Sequence, residues 1–190
     1  MTKNDGLEFL REYELPTIKL LTIEEILNNR IYLKEGISVR LSSKLDNIDV
    51  NLKSIHNIHD IDSILNFIKK YSKDYDIILH KTVKPTEIGT ISKYSLIDKT
   101  ILVIELYNNF DERKHGIVKS RASFLIIDNQ IIKTINNDFV SKVLLMELIN
   151  YMKDIYYDEY NFEFIVENND IVFTDFYSND YKSLKKVKKI

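Results

Sequence analysis

Glu163 and Asp175 are the two residues whose types and spacing most directly call for a chemical explanation. They lie midway along two short apolar runs, Phe162 to Val166 and Ile171 to Phe176, separated by Glu167-Asn168-Asn169-Asp170. Alternating runs on either side of an Asn- and Asp-rich turn predict a β-hairpin. A turn centred on Asn168 and Asn169 then sets Glu163 beside Asp175 on neighbouring strands. Like charges placed directly opposite destabilise a sheet. A divalent cation relieves them, because hard Mg2+ takes carboxylate and phosphate oxygens. The plainer alternative leaves both carboxylates in solvent or beside lysines.

A second candidate is Ile37-Ser38-Val39-Arg40-Leu41-Ser42-Ser43: the apolar–polar alternation of Ile37 to Leu41 predicts a half-buried strand, which sends one arginine and two hydroxyls out of its end. A guanidinium binds phosphate in a two-pronged fashion and hydroxyls add donors, although an arginine at a strand edge is more often a solvated charge. His56 and His59 stand just before Asp60. Such spacing chelates metal on a helix, but this pair precedes a helix cap and has no third strong ligand nearby, so an ordinary loop is expected. His80 is expected as a packed, hydrogen-bonded strand residue. The glycines Gly6, Gly36, Gly89 and Gly116 are too scattered for a phosphate loop, and no glycine-flanked serine elbow is present.

The elements that must position these groups follow from periodicity and caps. Leu7 to Glu14 reads as a helix ended by Pro16. Thr22, followed by Glu24 and Glu25, starts another, and Asp60 caps a third with an apolar stripe at Ile61, Ile64, Leu65, Ile68 and Tyr71. Strands are expected at Ile77 to Val83, Thr100 to Tyr107 and Ile117 to Ile127, with Ile131 and Ile132 continuing the meander. Asp138 is expected to cap the longest helix, which runs on to Ile155 ahead of the closing hairpin. Partly segregated helices and strands favour α+β over a doubly wound parallel sheet.

Composition narrows the function. The chain has 190 residues, 44% of them hydrophobic, enough for one sizeable core. Lys and Arg number 27 against 29 Asp and Glu, a balance that creates no global field for nucleic acid or anionic membrane. There is no run long enough to span a bilayer, and no secretory signal is expected behind the polar opening residues. The absence of cysteine removes disulfide, thiolate-metal and cysteine-nucleophile chemistry and suits a cytoplasmic protein.

Five segments in order resemble the ATP-grasp nucleotide-binding domain at the head of phosphoenolpyruvate synthase and pyruvate phosphate dikinase. Leu10 to Lys19 (LREYELPTIK) resembles that family's opening helix and its Gly-Leu-Pro-x-Pro segment. Ile37 to Ser43 (ISVRLSS) is similar to its Val-Arg-Ser-Ser strand, and Ile77 to Thr90 (IILHKTVKPTEIGT) to its Val-Gln-Lys-Met-Val strand and following turn. Ile101 to Tyr107 with Gly116 to Asp128 is similar to the Ile-Glu-Ala strand and next hairpin. Asn161 to Phe176 (NFEFIVENNDIVFTDF) resembles the closing Asp-Ile-Glu-Trp … Leu-Gln-x-Arg pair.

The resemblance implies ATP and Mg2+ as cofactors and one domain over about residues 1–180. Lobe A would cover about 7–80, lobe B about 81–180, and 181–190 would form a basic tail. Arg40 would contact phosphate, with Lys81 (or Arg121) adding charge; His80, Lys81 and Val83 would line the adenine site. Glu105 would lie in the cleft, and Glu163 and Asp175 would take metal. The early Gly-Lys phosphate element has no counterpart, the hinge glutamine is His80, and the final arginine position is Tyr177. The acidic loop is reduced to Lys44-Leu45-Asp46-Asn47. A chain this short is not expected to hold the phosphohistidine domain and barrel of a whole synthase. The expected function is phosphoryl transfer or carboxylate activation with an unidentified acceptor or protein partner. The alternatives are a degenerate, non-catalytic binding or regulatory module and an unrelated α+β interaction protein.

Overall fold

The computed structural model describes residues 1–44, 52–96, 99–107, 120–135, 141–155 and 159–178. Among them five helices and nine strands form two antiparallel sheets, an α+β arrangement. The smaller sheet has the order β2-β1-β3, from β1 (Ile37–Ser43), β2 (Ser54–Ile58) and β3 (Tyr75–Lys81). The larger has the order β7-β6-β5-β4-β8-β9. Its strands are β4 (Glu87–Leu96), β5 (Lys99–Tyr107), β6 (Ala122–Ile127), β7 (Gln130–Ile135), β8 (Tyr160–Glu167) and β9 (Asp170–Tyr177).

Each sheet has its own core. On β1, Ile37, Val39 and Leu41 point to one side, where they meet Leu79 of β3, Ile26 of α2 (Ile23–Asn28) and Ile64 and Phe67 of α4 (Ile61–Tyr71). Short α3 (Ile31–Glu35) leads into β1. Across the larger sheet, Phe124, Ile104, Ile91, Phe162 and Phe176 form the buried face. They are covered by Leu145, Leu148, Ile149 and Met152 of α5 (Lys142–Met152) and by Phe9 and Leu10 of α1 (Lys3–Glu12). Phe9 stacks on Phe176 with ring centroids 3.6 Å apart. Burying each such side chain contributes about 1.5–3 kcal/mol, so α1 belongs energetically to the larger sheet.

The helix starts are encoded locally. Thr2 accepts the Asp5 N–H at 3.2 Å while Asp5 takes the Thr2 N–H at 2.8 Å, a reciprocal cap that opens α1 at Lys3 rather than at the expected Leu7. Thr22 and Glu25 do the same for α2, and Asp60 caps α4 through the Ser63 N–H, as expected. Ser141 stands at the cap of α5; the expected cap Asp138, the start of the Ile117 to Ile127 run, and the basic tail lie outside the described residues.

Two strands were not expected. His56 lies on β2 rather than in a loop. The segment after Pro85 forms β4, which is the strand between β5 and β8. Its core-facing positions are Gly89, Ile91 and Lys93, of which only one is apolar, so its alternation is hidden. Gly89 is required there: a Cβ would stand 2.4 Å from the Phe164 ring and 2.7 Å from the Glu105 carbonyl. Lys93 sets its ammonium 5.3 Å from the Tyr160 ring centroid and donates to the Ile155 carbonyl at 3.0 Å.

Candidate functional site

The hairpin β8–β9 turns at Asn168 and Asn169, both with positive φ (54° and 71°), the backbone that a tight hairpin turn needs and that Asn tolerates. Glu163 and Asp175 are paired across it, as the turn position predicts. A bulge follows Glu163, so the turn-side pairs are shifted by one residue from those beyond it.

The pairing extends across the sheet. Thr90 of β4 is the partner of both Glu163 and Glu105, and Glu105 pairs in turn with Ser123 of β6. Directly paired residues share a face. Ser123, Glu105, Thr90, Glu163 and Asp175 therefore form one half-buried polar row on the face opposite α5. The Tyr107 hydroxyl donates to Glu105 at 3.1 Å. Beside this row on the same face lie Ile88 and Ile165, both buried.

Arg40 enters from the smaller sheet. Ser38, Arg40 and Ser42 occupy the side of β1 away from α4, and Arg40 Nη2 lies 3.9 Å from Asp175 Oδ2. Lys3 Nζ is nearer to the same oxygen, at 2.9 Å, with side-chain exposures of 24% for Lys3 and 16% for Asp175. Asp175 Oδ1 accepts the Phe176 N–H at 3.0 Å. Asn4 anchors the start of α1 to the smaller sheet: its N–H donates to Ser42 at 3.3 Å and its side chain to Asp76 at 3.1 Å. Asp175 is thus met by two cations, one from α1 and one from β1.

His80 occupies the same side of β3 as Arg40 does of β1 and pairs with Ser38. Its Nδ1–H donates to the Lys81 carbonyl at 2.7 Å, which leaves Nε2 as a buried acceptor with no partner among the described residues. Burial pushes its pKa down to about 4; the Lys81 hydrogen bond opposes this, and the nearby Arg40 and His56 charges reinforce it. His80 is therefore neutral at pH 7. The chain then passes between the sheets through Val83, packed on the larger core, and is pinned where Lys84 N–H meets Glu167 at 2.7 Å and Thr86 N–H meets the Val166 carbonyl at 2.8 Å.

The structure therefore brings Arg40, Glu163 and Asp175 together, with Glu105 two strands further along the row and His80 beside Arg40. It does not bring Lys81 to them. Lys81 points to the opposite side of β3 and pairs with Glu35 at 3.2 Å. Arg121 is held by Glu87. His56 is hydrogen-bonded to Ser38 and Ser54, and His59 donates to the Leu33 carbonyl. Lys3 is the site residue that sequence reasoning passed over; the Thr2–Asp5 cap spacing is the local signal that could have placed it at a helix start.

For a metal, the described residues contain no group of three or more His, Asp or Glu placed to hold one unaided. Mg2+ commonly uses one or two protein carboxylates and completes its shell with water and phosphate oxygens. The donor chemistry of Glu163 and Asp175 fits that pattern.

No protein-family model matches the sequence, and no curated protein matches it. Solved structures do. The chain is similar to D-alanyl-alanine synthetase A from Vibrio cholerae at 12% identity and a TM-score of 0.59, covering 93% of this chain and 54% of that one. It is similar to carboxyaminoimidazole ribonucleotide synthase from Aspergillus clavatus complexed with ATP, at 14% identity and TM-score 0.54, covering 93% and 45%. A third match, dinucleotide-forming acetyl-coenzyme A synthetase 1 from Ca. Korarchaeum cryptofilum, is 10% identical with TM-score 0.55, covering 93% and 91%. The chain spans about half the length of the first two. At these identities the likeness is one of fold, and that fold is ATP-grasp. It does not single out the phosphoenolpyruvate synthase type among ATP-grasp proteins.

Proposed function

We propose that this chain binds ATP with Mg2+ between its two sheets and uses it for phosphoryl transfer or carboxylate activation. The observation that carries the reading is the polar row on the larger sheet, ending at Glu163 and Asp175 directly opposite Arg40 of the smaller sheet. The ATP-grasp fold supports it, as does the narrower resemblance of five sequence segments to the pyruvate phosphate dikinase-type domain.

In this reading the Arg40 guanidinium binds and orients phosphate, since its planar fork matches phosphate oxygens. Glu163 and Asp175 would hold the metal, and Glu105 extends the acidic row along the nucleotide cleft. Bound Mg2+ supplies neutralisation of charge on the phosphate oxygens. His80 stays neutral beside Arg40, and the linker through Val83 lines the adenine end. The Lys81 side chain is committed to Glu35, so the charge role falls on Arg40. The acceptor is a small molecule or a protein in the cytosol. Among the described residues no helix is long and apolar enough to cross a membrane.

A thermal-shift titration tests the reading. A ligand present at 100 times its Kd stabilises the native state by ~2.7 kcal/mol, which raises Tm by roughly 5–11 °C for a domain of this size. ADP with Mg2+ should produce that shift, and Asp175→Asn should reduce it while leaving the far-UV spectrum unchanged. An equal shift in native and variant protein would remove Asp175 from the metal site. The second reading, a non-catalytic binding module, is favoured by one observation, the Lys3 ammonium already seated on Asp175. ATP turnover separates the two: binding with no phosphate release under any acceptor mixture selects the module.

A further inference from the structure

Asp175 carries its own cations. Lys3 lies 2.9 Å and Arg40 3.9 Å from the same oxygen of Asp175. Lys3 is not a loosely placed surface side chain. It is the first residue of α1, locked by the Thr2–Asp5 cap and by Asn4 bonded to Ser42 and Asp76. Three residues on from Lys3, α1 lies so close to β9 that a Cβ on Gly6 would stand 2.6 Å from the Phe176 carbonyl. The helix start is therefore fixed against both sheets, and its ammonium occupies the approach to Asp175.

From this we propose that Lys3 is a resident cation of Asp175, the carboxylate paired with Glu163, and that it competes directly with a divalent metal there. The ligand-free protein then binds a divalent cation weakly on its own, and the metal enters already bound to an anion. An ammonium and a metal ion both seek the lone pairs of Asp175 Oδ2, and the two positive charges repel at that range. A metal arriving alone must displace Lys3 from a part-buried pair with nothing to offset the second charge of Arg40. A metal that arrives with its anion brings the compensating negative charge. This inference rests on the reading of Glu163 and Asp175 as metal ligands, and it identifies α1 as the element that sets their metal affinity.

The test uses Mn2+ alone, titrated into the full chain and followed by the electron paramagnetic resonance of the free ion. Lys3→Met should bind Mn2+ at least tenfold more tightly than the native protein. Adding Asp175→Asn to Lys3→Met should abolish that gain, and Lys3→Arg, which keeps the charge, should bind as weakly as native. Lys3→Gln retains a neutral donor to Asp175 and serves as the second variant should Lys3→Met fail to fold; it should show the same gain. Unchanged Mn2+ affinity in the folded neutral variant overturns the proposal, as does a gain that survives Asp175→Asn. A parallel titration with ADP and Mg2+ keeps the two ideas apart. Failure of ADP to bind, with the Mn2+ gain present, sinks the nucleotide reading and keeps the competition. Metal-dependent ADP binding with Mn2+ affinity indifferent to Lys3 does the reverse.

Discussion

Asp175→Asn isolates the charge at the centre of the site, because asparagine keeps an acceptor oxygen for Lys3 and for the Phe176 N–H. A hydrogen bond to a charged group contributes ~1.5–3 kcal/mol when buried, whereas an exposed ion pair contributes ~0–1 kcal/mol. Lys3 at 24% and Asp175 at 16% exposure fall between those limits. We therefore expect Asp175→Asn to cost about 1–2 kcal/mol, a fall in Tm of roughly 2–8 °C for a chain of this length. The assay is a double-mutant cycle by thermal and denaturant unfolding: native, Asp175→Asn, Lys3→Met and the double variant. If the pair is formed as described, the single costs exceed their additive share and the coupling is about 1 kcal/mol. Additivity within about 0.3 kcal/mol would refute the reasoning, because residues that do not interact show no coupling.

Two further outcomes are expected. His80 has its folded pKa lowered to about 4 from 6.5, so between these values the unfolded chain binds the extra proton and stability falls as pH drops. The loss across that window is on the order of 3 kcal/mol, and His80→Leu should flatten the slope by about one proton; an unchanged slope places the titration elsewhere. Gly89→Ala should destabilise the fold by about 1–3 kcal/mol through overpacking against Phe164 and the Glu105 carbonyl, read as a lower urea midpoint; a midpoint equal to native would contradict the packing.

The hairpin was legible because its turn is built from residues that accept positive φ, and the turn alone fixes which residues face each other. That placed Glu163 beside Asp175 without any knowledge of the rest of the fold. Arg40 was legible as a strand residue for the same local reason, since alternation in Ile37 to Leu41 separates its face from the core. The caps at Thr22 and Asp60 were read from side chains three residues away from the groups they satisfy. What escaped depends on distant partners. Strand β4 packs a glycine and a lysine, its ammonium over Tyr160, where apolar residues would have announced it. Lys3 meets a carboxylate 172 positions away only because α1 lies closely against β9. Lys81 was assigned to the site by resemblance, and strand alternation turns it to the other side, toward Glu35.

The central claim is nucleotide binding between the two sheets, and isothermal titration with a non-hydrolysable ATP analogue, with and without Mg2+, tests it most directly. The native protein should bind at one site with an affinity that rises when Mg2+ is present, and Arg40→Met should lose that binding while keeping its helical and strand signal. No detectable heat in either condition, or an affinity that neither Mg2+ nor Arg40→Met alters, would contradict it.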